Sequence, residues 1–549
     1  MNGALHVDTP TLALGGAVLV ALALTYKLRP PPPQIHPFLL GRQSLPAPTR
    51  KEGESPVYAS AANGGVRAPW RPDRTIRTLA DILAKSQTCL EGGERGSWVR
   101  GGEKLIDLVA ALHAGLVSKL TGVDGRVLVV VDDPTDAVLV TLALATSSFK
   151  PIIVAPGSAI PGTLNYVAVV KSSDREVNSG DAKFLDLGDK EAAQDVLATG
   201  RTLASEGKSA ASAAGEAGDL ALTIVSEGIP LDFTNQNLTA SLVSWLSLFP
   251  ASPQATKPTL KDSVLSFHHP STPHGLGLAL MVIYQSASLS FPALALTGLD
   301  DEEAAAKALC DILASKPPAT LIFAPAATFD QPLYKLILQK ILGDASIIVR
   351  QARDGKLRLL REGTVSKLTF WDSLLWKGLC KDIHLTSLRG LFVTATSPST
   401  AVLQSHLDTF RCALGCPVVP LLSHGALLAP LASGNMWDVQ RLPPPGTKAL
   451  HGDERGHVGA VTAGMEIKLV GDEADMSAGR VRGEILLRTP LLPHPSSLPP
   501  ALLQTDVSLP QLPPYPGQSA AAAPDEASKW LRTGVRAEMA TEGTLWLLE

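Results

Sequence analysis

Short, nearly continuous apolar runs alternate along this chain with segments whose apolar residues recur at helical spacing. Leu105, Leu108, Val109, Leu112 and Leu116 repeat at the three-and-four interval of a helix face, and Val127–Val131 and Pro151–Ala155 follow as unbroken apolar stretches. Similar runs return at Tyr166–Val170, Leu220–Val225, Thr320–Ala324, Ser346–Val349 and Leu391–Thr394. Strands that are apolar on both sides, separated by amphipathic helices, predict a parallel sheet covered on two faces. The expected fold is therefore α/β, a large doubly wound body. Residues 188–218, rich in Ala, Gly and Ser, predict a helix followed by a loose loop. After about residue 455 the pattern changes: Met465–Val470 and Glu484–Arg488 read as strands with glycines between them, which predicts a small β subdomain over 456–549. Within it residues 489–528 hold ten prolines, a density that argues for an irregular insertion.

The N-terminus departs from this rhythm. Residues Thr9–Tyr26 carry no charge over eighteen positions, Lys27 and Arg29 follow, and Pro30–Pro33 close the segment. Asp8 rather than a basic residue precedes the run, unlike a secretory signal. Residues 1–33 are thus expected to form a single-pass anchor, with the basic side and the whole body in the cytosol; a buried or interfacial helix is the alternative. Residues 34–75, rich in Pro, Gly and Arg, read as an arm over the surface or a tether, and 76–455 as the body.

Composition excludes some classes. The 549-residue chain carries a net charge of −4 without a basic stripe, so nucleic acid is not an expected partner. Five cysteines, Cys89, Cys310, Cys380, Cys412 and Cys416, are odd in number and widely spaced, which fits a reducing compartment better than a disulfide framework. Cys412 and Cys416 lack a second ligand pair nearby, and Pro270 and Pro273 disrupt the spacing of His268, His269 and His274, so no metal site is expected. Ser423 and His424 are adjacent but sit in no G-x-S-x-G elbow, which argues against a hydrolase.

Several segments resemble, in chain order, the AMP-dependent synthetase/ligase superfamily, and the apolar N-terminus makes the chain most similar to membrane-bound long-chain fatty acyl-CoA synthetases. Gly456-His-Val-Gly459, Met465–Val470 and Gly483–Arg488 resemble the family's G-x-V-G, e-v-k-i-v and G-E-i-x-v-r-G series. The stretch from Asp262 to His274-Gly275 is similar to D-x-v-l-s-x-l-P-l-x-H-x-x-G, and Trp530-Leu-Arg-Thr-Gly534 to W-l-r-T-G-D. By this resemblance His274 and Gly275 belong to the wall of an acyl pocket, plain core packing of His274 being the alternative.

The same resemblance exposes departures. Where the family has Y-T-S-G-T-T-G-x-P-K-G-V-x-x-T-H-x-N-L, this chain runs from Val225-Ser226-Glu227-Gly228 through Ile229-Pro-Leu-Asp232 to Phe233-Thr234-Asn-Gln-Asn-Leu238. About five positions are missing, the lysine and second glycine among them, and Glu227 and Asp232 would repel a polyanion. Leu422-Ser-His-Gly-Ala426 stands at the family's Y-G-x-T-E, so Leu422 and Ala426 replace the adenine-stacking aromatic and the magnesium carboxylate. Val535 replaces the ribose-binding aspartate, and Thr394-Ala-Thr-Ser-Pro398 replaces a glycine-rich turn. Glu549 precedes the family's hinge and C-terminal domain, so that domain's lysine is not expected either. Ser226, Glu227, Gly228 and Thr234 then form a vestigial phosphate loop with Leu422, Ala426 and Val535 as vestigial nucleotide positions. No catalytic residue and no cofactor is expected. The expected protein is a membrane-tethered, catalytically degenerate relative, on the endoplasmic reticulum or a related membrane, that binds a fatty acid, an acyl-CoA or a partner such as an active synthetase. Two alternatives stand beside it: an active long-chain fatty-acid–CoA ligase using ATP, magnesium and coenzyme A, and a structural protein without ligand.

Overall fold

A computed structural model describes residues 14–19, 37–63, 69, 71–86, 105–120, 125–172, 175, 177, 182–206, 215–249, 257–292, 296, 301–342, 347–438, 457–505 and 529–548. Two short strands come first, β1 (Ser44–Pro46) and β2 (Tyr58–Ser60). The next six form one sheet: β3 (Arg126–Val131), β4 (Lys150–Val154), β5 (Ala168–Ser172), β6 (Lys183–Asp186), β7 (Leu220–Ser226) and β8 (Ile229–Thr234). Their order is β6-β5-β3-β4-β7-β8, parallel except for the last pair. Val127–Val131 and Pro151–Val154 are wholly buried, as strands covered on both faces must be. On one face the helices Leu105–Lys119 and Lys190–Ser205 pack backbone to backbone. A Cβ on Gly115 would lie 2.1 Å from the Val196 carbonyl, and one on Gly200 1.8 Å from that of Ala111, so only glycine permits the approach.

The remaining strands are β9 (Ser263–Ser266), β10 (Ser288–Ser290), β11 (Leu321–Pro325), β12 (Gly390–Ala395), β13 (Val418–Leu422), β14 (Ala432–Ser433), β15 (Gly459–Val461), β16 (Glu466–Val470), β17 (Arg482–Arg488), β18 (Leu503–Thr505), β19 (Lys529–Met539) and β20 (Thr544–Leu548). With β1 and β2 they make a second sheet of 14 strands. Its β10, β9, β11, β12 and β13 run parallel, and β14 onward is antiparallel. The helices Asn235–Ser247 and Pro273–Tyr284 share one apolar cluster with both sheets, and every residue of the second helix is buried.

This mixed α/β architecture refines the doubly wound expectation in several places. The strands after residue 456 continue the large sheet through the β14–β15 pairing instead of standing apart as a subdomain. The 34–75 arm enters that sheet too, β2 pairing with β16. Ser346–Val349 was expected as a strand, but Ile347–Arg361 is a helix. Val349, Ala352, Lys356 and Leu360 line its buried side, and an apolar run that short reads the same in either period. The proline-rich stretch is ordered in its first part, with single turns at Pro495–Ser497 and Pro500–Leu502 and strand β18; residues 506–528 lie outside the described residues. Of the expected anchor only residues 14–19 are described, and they are helical. Among the described residues no helix is long and apolar enough to cross a membrane.

Candidate functional site

The stretch that aligns with a phosphate loop is a tight hairpin. Strands β7 and β8 pair antiparallel up to Ser226 opposite Ile229, leaving Glu227 and Gly228 as a two-residue turn. Both have positive φ, 53° and 78°, the requirement of a type I′ turn. Glycine meets it freely; glutamate meets it at some cost. The Glu227 amide donates to Ser158 Oγ at 3.0 Å. Thr223 donates to the Asp232 carboxylate at 2.5 Å, and Arg126 stands 3.9 Å from that carboxylate. Along the outer edge of β8, His494 N donates to Asp232 O (2.8 Å), and Asp232 N donates to Ser497 Oγ (3.2 Å). The start of the proline-rich stretch therefore covers the hairpin edge.

Thr234 performs a structural task. It caps the helix Asn235–Ser247 in a capping box, its hydroxyl accepting from Asn237 N (3.3 Å) while Asn237 Oδ1 accepts from Thr234 N (2.7 Å). The Asn237 amide donates onward to the carbonyls of Pro490 and Leu492 at 2.7 and 3.0 Å.

Opposite the turn lies the Leu422–Ala426 segment, where a Cβ on Gly425 would stand 3.9 Å from Ser226 Oγ. Leu422 ends β13, and Ala426 is buried. Burial holds the His424 imidazole below its ordinary pKa, with the Glu227 carboxylate pulling the other way. The structure thus brings Ser226, Glu227 and Gly228 beside Leu422–Ala426. Val535 is elsewhere engaged: it is buried in β19 against β17, where Thr533 donates to Ile485 O (2.8 Å) and Val535 N to Thr533 Oγ1 (3.2 Å). In the turn after β12, the amides of Thr396 and Ser397 both donate to Thr400 Oγ1 at 3.0 Å.

A polar cluster fills the space at the carboxyl ends of β9, β12 and β13, the edge where open α/β sheets place their ligands. Thr272 caps the helix Pro273–Tyr284, and a Cβ on Gly275 would lie 2.1 Å from the His269 carbonyl, so this turn admits only glycine. His274 packs on Trp245, ring centroids 4.9 Å apart, and on His268 at 4.6 Å. Its Nδ1 lies 2.8 Å from Ser423 Oγ and its Nε2 3.4 Å from Thr394 Oγ1, which also lies 3.2 Å from His268 Nε2. Two proton orders satisfy all four groups: His268 donates to Thr394, Thr394 to His274 and His274 to Ser423, or every donation runs the other way. Both rings are then neutral. Burial pushes His268 down to about 3 and His274 well below the ordinary histidine range, the latter also feeling His268.

These contacts decide between readings of the same residues. Ser423 pairs with His274 and not with its neighbour His424, and the partner that orients His274 is a threonine rather than a carboxylate. The third histidine turns away, His269 Nε2 reaching the Asp132 carbonyl at 3.0 Å. No cluster of metal-ligating side chains occurs among the described residues. Cys412 and Cys416 are buried, each thiol pushed up to about 12 by burial. Ser158 escaped the reading of the sequence, and Thr394 entered it only as the start of a replaced glycine-rich turn, since a serine after a strand and a threonine at a strand end carry no local mark of their partners.

No protein-family profile matches the sequence, and no curated protein matches it. Solved structures do. VinN in complex with L-aspartate superposes with a TM-score of 0.52 at 15% identity, covering 87% of this chain and 100% of VinN. A long-chain-fatty-acid-CoA ligase, FadD1 from Archaeoglobus fulgidus, gives 0.54 at 15% identity over 88% of this chain and 86% of that one. The fused adenylation–PCP protein NpsA-ThdA from Klebsiella oxytoca gives 0.54 at 13% over 86% and 73%. The chain has the fold of the AMP-dependent synthetase/ligase superfamily, the adenylate-forming enzymes.

Proposed function

We propose that this protein uses the adenylate-forming fold without adenylate chemistry. One observation carries the reading: the turn that would cradle a triphosphate is a two-residue hairpin, Glu227-Gly228, whose Glu227 amide is already bonded to Ser158. Hydroxyls and amides at the carboxyl ends of β12 and β13 are spent in the same way, Thr396 and Ser397 on Thr400, and Ser423 on His274. Glu227 adds a negative charge at the turn itself, and removing even one positioned donor typically costs an enzyme about 10²–10³ in rate.

The role that remains is binding. In this reading the protein is tethered to a membrane of the endoplasmic reticulum or a related organelle by residues 1–33, its body in the cytosol, and it engages a fatty acyl ligand or a partner protein. The likeness to a fatty-acid-CoA ligase supports the acyl ligand. A second reading, an active fatty-acid–CoA ligase, draws on the 88% of the chain that superposes on FadD1.

ATP–pyrophosphate exchange on the full-length chain, with a panel of fatty acids, separates the two. The proposal expects no exchange above a protein-free control and no ATP binding in the micromolar range. Fatty-acid-dependent exchange would overturn it. Titration with a fluorescent fatty acid then tells acyl binding from a protein-only role.

A further inference from the structure

The helical stretch that opens at Phe370 and continues through Lys377–Asp382 displays an apolar, cationic outer face that the functional reading above does not use. Its first turns form a π-helix, Asp372–Trp376. The inner side, Asp372, Trp376, Leu379, Cys380 and Ile383, is buried. The outer side presents Phe370 and Leu374, 68% and 54% exposed, directly after Leu368, which is 94% exposed. One helical step further along that side stand Lys377 and Lys381, exposed and without an ion pair among the described residues.

This face is held rigidly. Asp372 closes a cap with Thr369, accepting from its amide at 2.8 Å and its hydroxyl at 2.6 Å, and pairs with the buried Lys356 at 2.5 Å. Trp371 lies flush on Gly355, where a Cβ would come within 2.7 Å of Nε1. Three large apolar side chains in seven residues are thus held out to solvent by a fixed scaffold, an arrangement that marks a docking surface. Charge selects the partner. Residues 350–384 contain eight Lys and Arg against four Asp and Glu, a net of +4 in a chain whose total is −4. The helix Ile347–Arg361 contributes the exposed Arg350, Arg353 and Arg358.

We propose that Leu368, Phe370 and Leu374 insert into an anionic lipid bilayer surface, with Lys377 and Lys381 meeting its headgroups. Short apolar side chains backed by lysines are the pattern of an interfacial helix, the lysine stems lying along the boundary while the ammonium groups reach phosphate. The inference is independent of the reading of residues 1–33 and of any acyl ligand.

The test places an environment-sensitive fluorophore at Leu368→Cys in the full chain, with Cys89 and Cys310 changed to serine, and a control label at Leu260→Cys, 62% exposed in the turn before β9. Vesicles of phosphatidylcholine containing phosphatidylserine should blue-shift and brighten the label at 368 and leave that at 260 unchanged. The label reads this face alone, so attachment through the N-terminal segment does not mimic the result. Lys377→Gln with Lys381→Gln should raise the vesicle concentration that half-saturates the signal by about 30-fold, from about 5-fold per lysine. An unshifted 368 label on vesicles that carry the chain, or equal shifts at both sites, overturns the proposal. A shift that appears without vesicles and grows with chain concentration or with an added protein also overturns it, by assigning the face to a protein contact.

Discussion

Acid should loosen this protein through the histidine cluster at its centre. His268 is half-buried and shares Thr394 with His274, and burial lowers its pKa from the ordinary 6.5 to about 3. Between those values the unfolded chain binds a proton that the folded chain refuses. The His268 contribution is therefore intact above about pH 6.5 and is lost progressively as the pH falls towards 3. At pH 5 the solution is 1.5 units below the unfolded value, which corresponds to about 2 kcal/mol. Because the ring keeps some solvent contact, about 1–2 kcal/mol is the working figure. His274, fully enclosed, shifts in the same direction. Trp245 packs on His274, so its fluorescence reports this region. Urea unfolding at pH 7.5 and pH 5, followed by fluorescence, should show a larger stability loss on acidification in the wild type than in His268→Asn, by about 1–2 kcal/mol. Other lowered histidines, His113, His269 and His424, contribute equally to both proteins and cancel in that difference. Identical losses in the two proteins would mean that His268 titrates freely, and that burial beside Thr394 does not hold its ring neutral.

Gly277→Ala would place a Cβ 1.8 Å from the Leu428 carbonyl, and should lower stability by about 1–3 kcal/mol in thermal unfolding; an unchanged transition would show that the helix Pro273–Tyr284 can shift. Asn237→Ala removes both the capping box and the grip on Pro490 and Leu492, so it should cost about 1 kcal/mol and speed proteolytic cleavage within 490–500, with unchanged cleavage counting against the docking of that stretch. With thiols pushed up to about 12, Cys412 and Cys416 should stay unreactive towards a thiol reagent at pH 8 until the chain is unfolded, and rapid native labelling of either would contradict their burial. Glu227→Asn puts a residue that tolerates positive φ at the hairpin turn and should stabilise modestly, by about 0.5 kcal/mol or more in urea unfolding; a loss would argue against the I′ turn.

Much of the architecture is legible in local pattern. The runs at Val127–Val131, Pro151–Val154 and Leu391–Thr394 are strands because continuous β-branched apolar sequence suits only a strand buried on both faces, and Leu105–Leu116 is a helix because its apolar residues share one side. The poverty of the phosphate segment is also written in the chain, since neither a lysine nor a second glycine occurs between Ser226 and Leu238. Other features needed distant partners. Ile347–Arg361 is a helix because Lys356 finds Asp372 and its apolar side finds a neighbour, which the brief run at Ser346–Val349 could not reveal. The sheet continues past residue 456 because β14 meets β15, and a strand's partner is set by hydrogen bonds between remote backbones. His274 bonds to Ser423, 149 positions away, and Ser423 bonds to it rather than to the adjacent His424. Side-chain periodicity and turn chemistry are local properties and so belong to the sequence; the spending of donors and acceptors on partners far along the chain belongs to the folded structure alone.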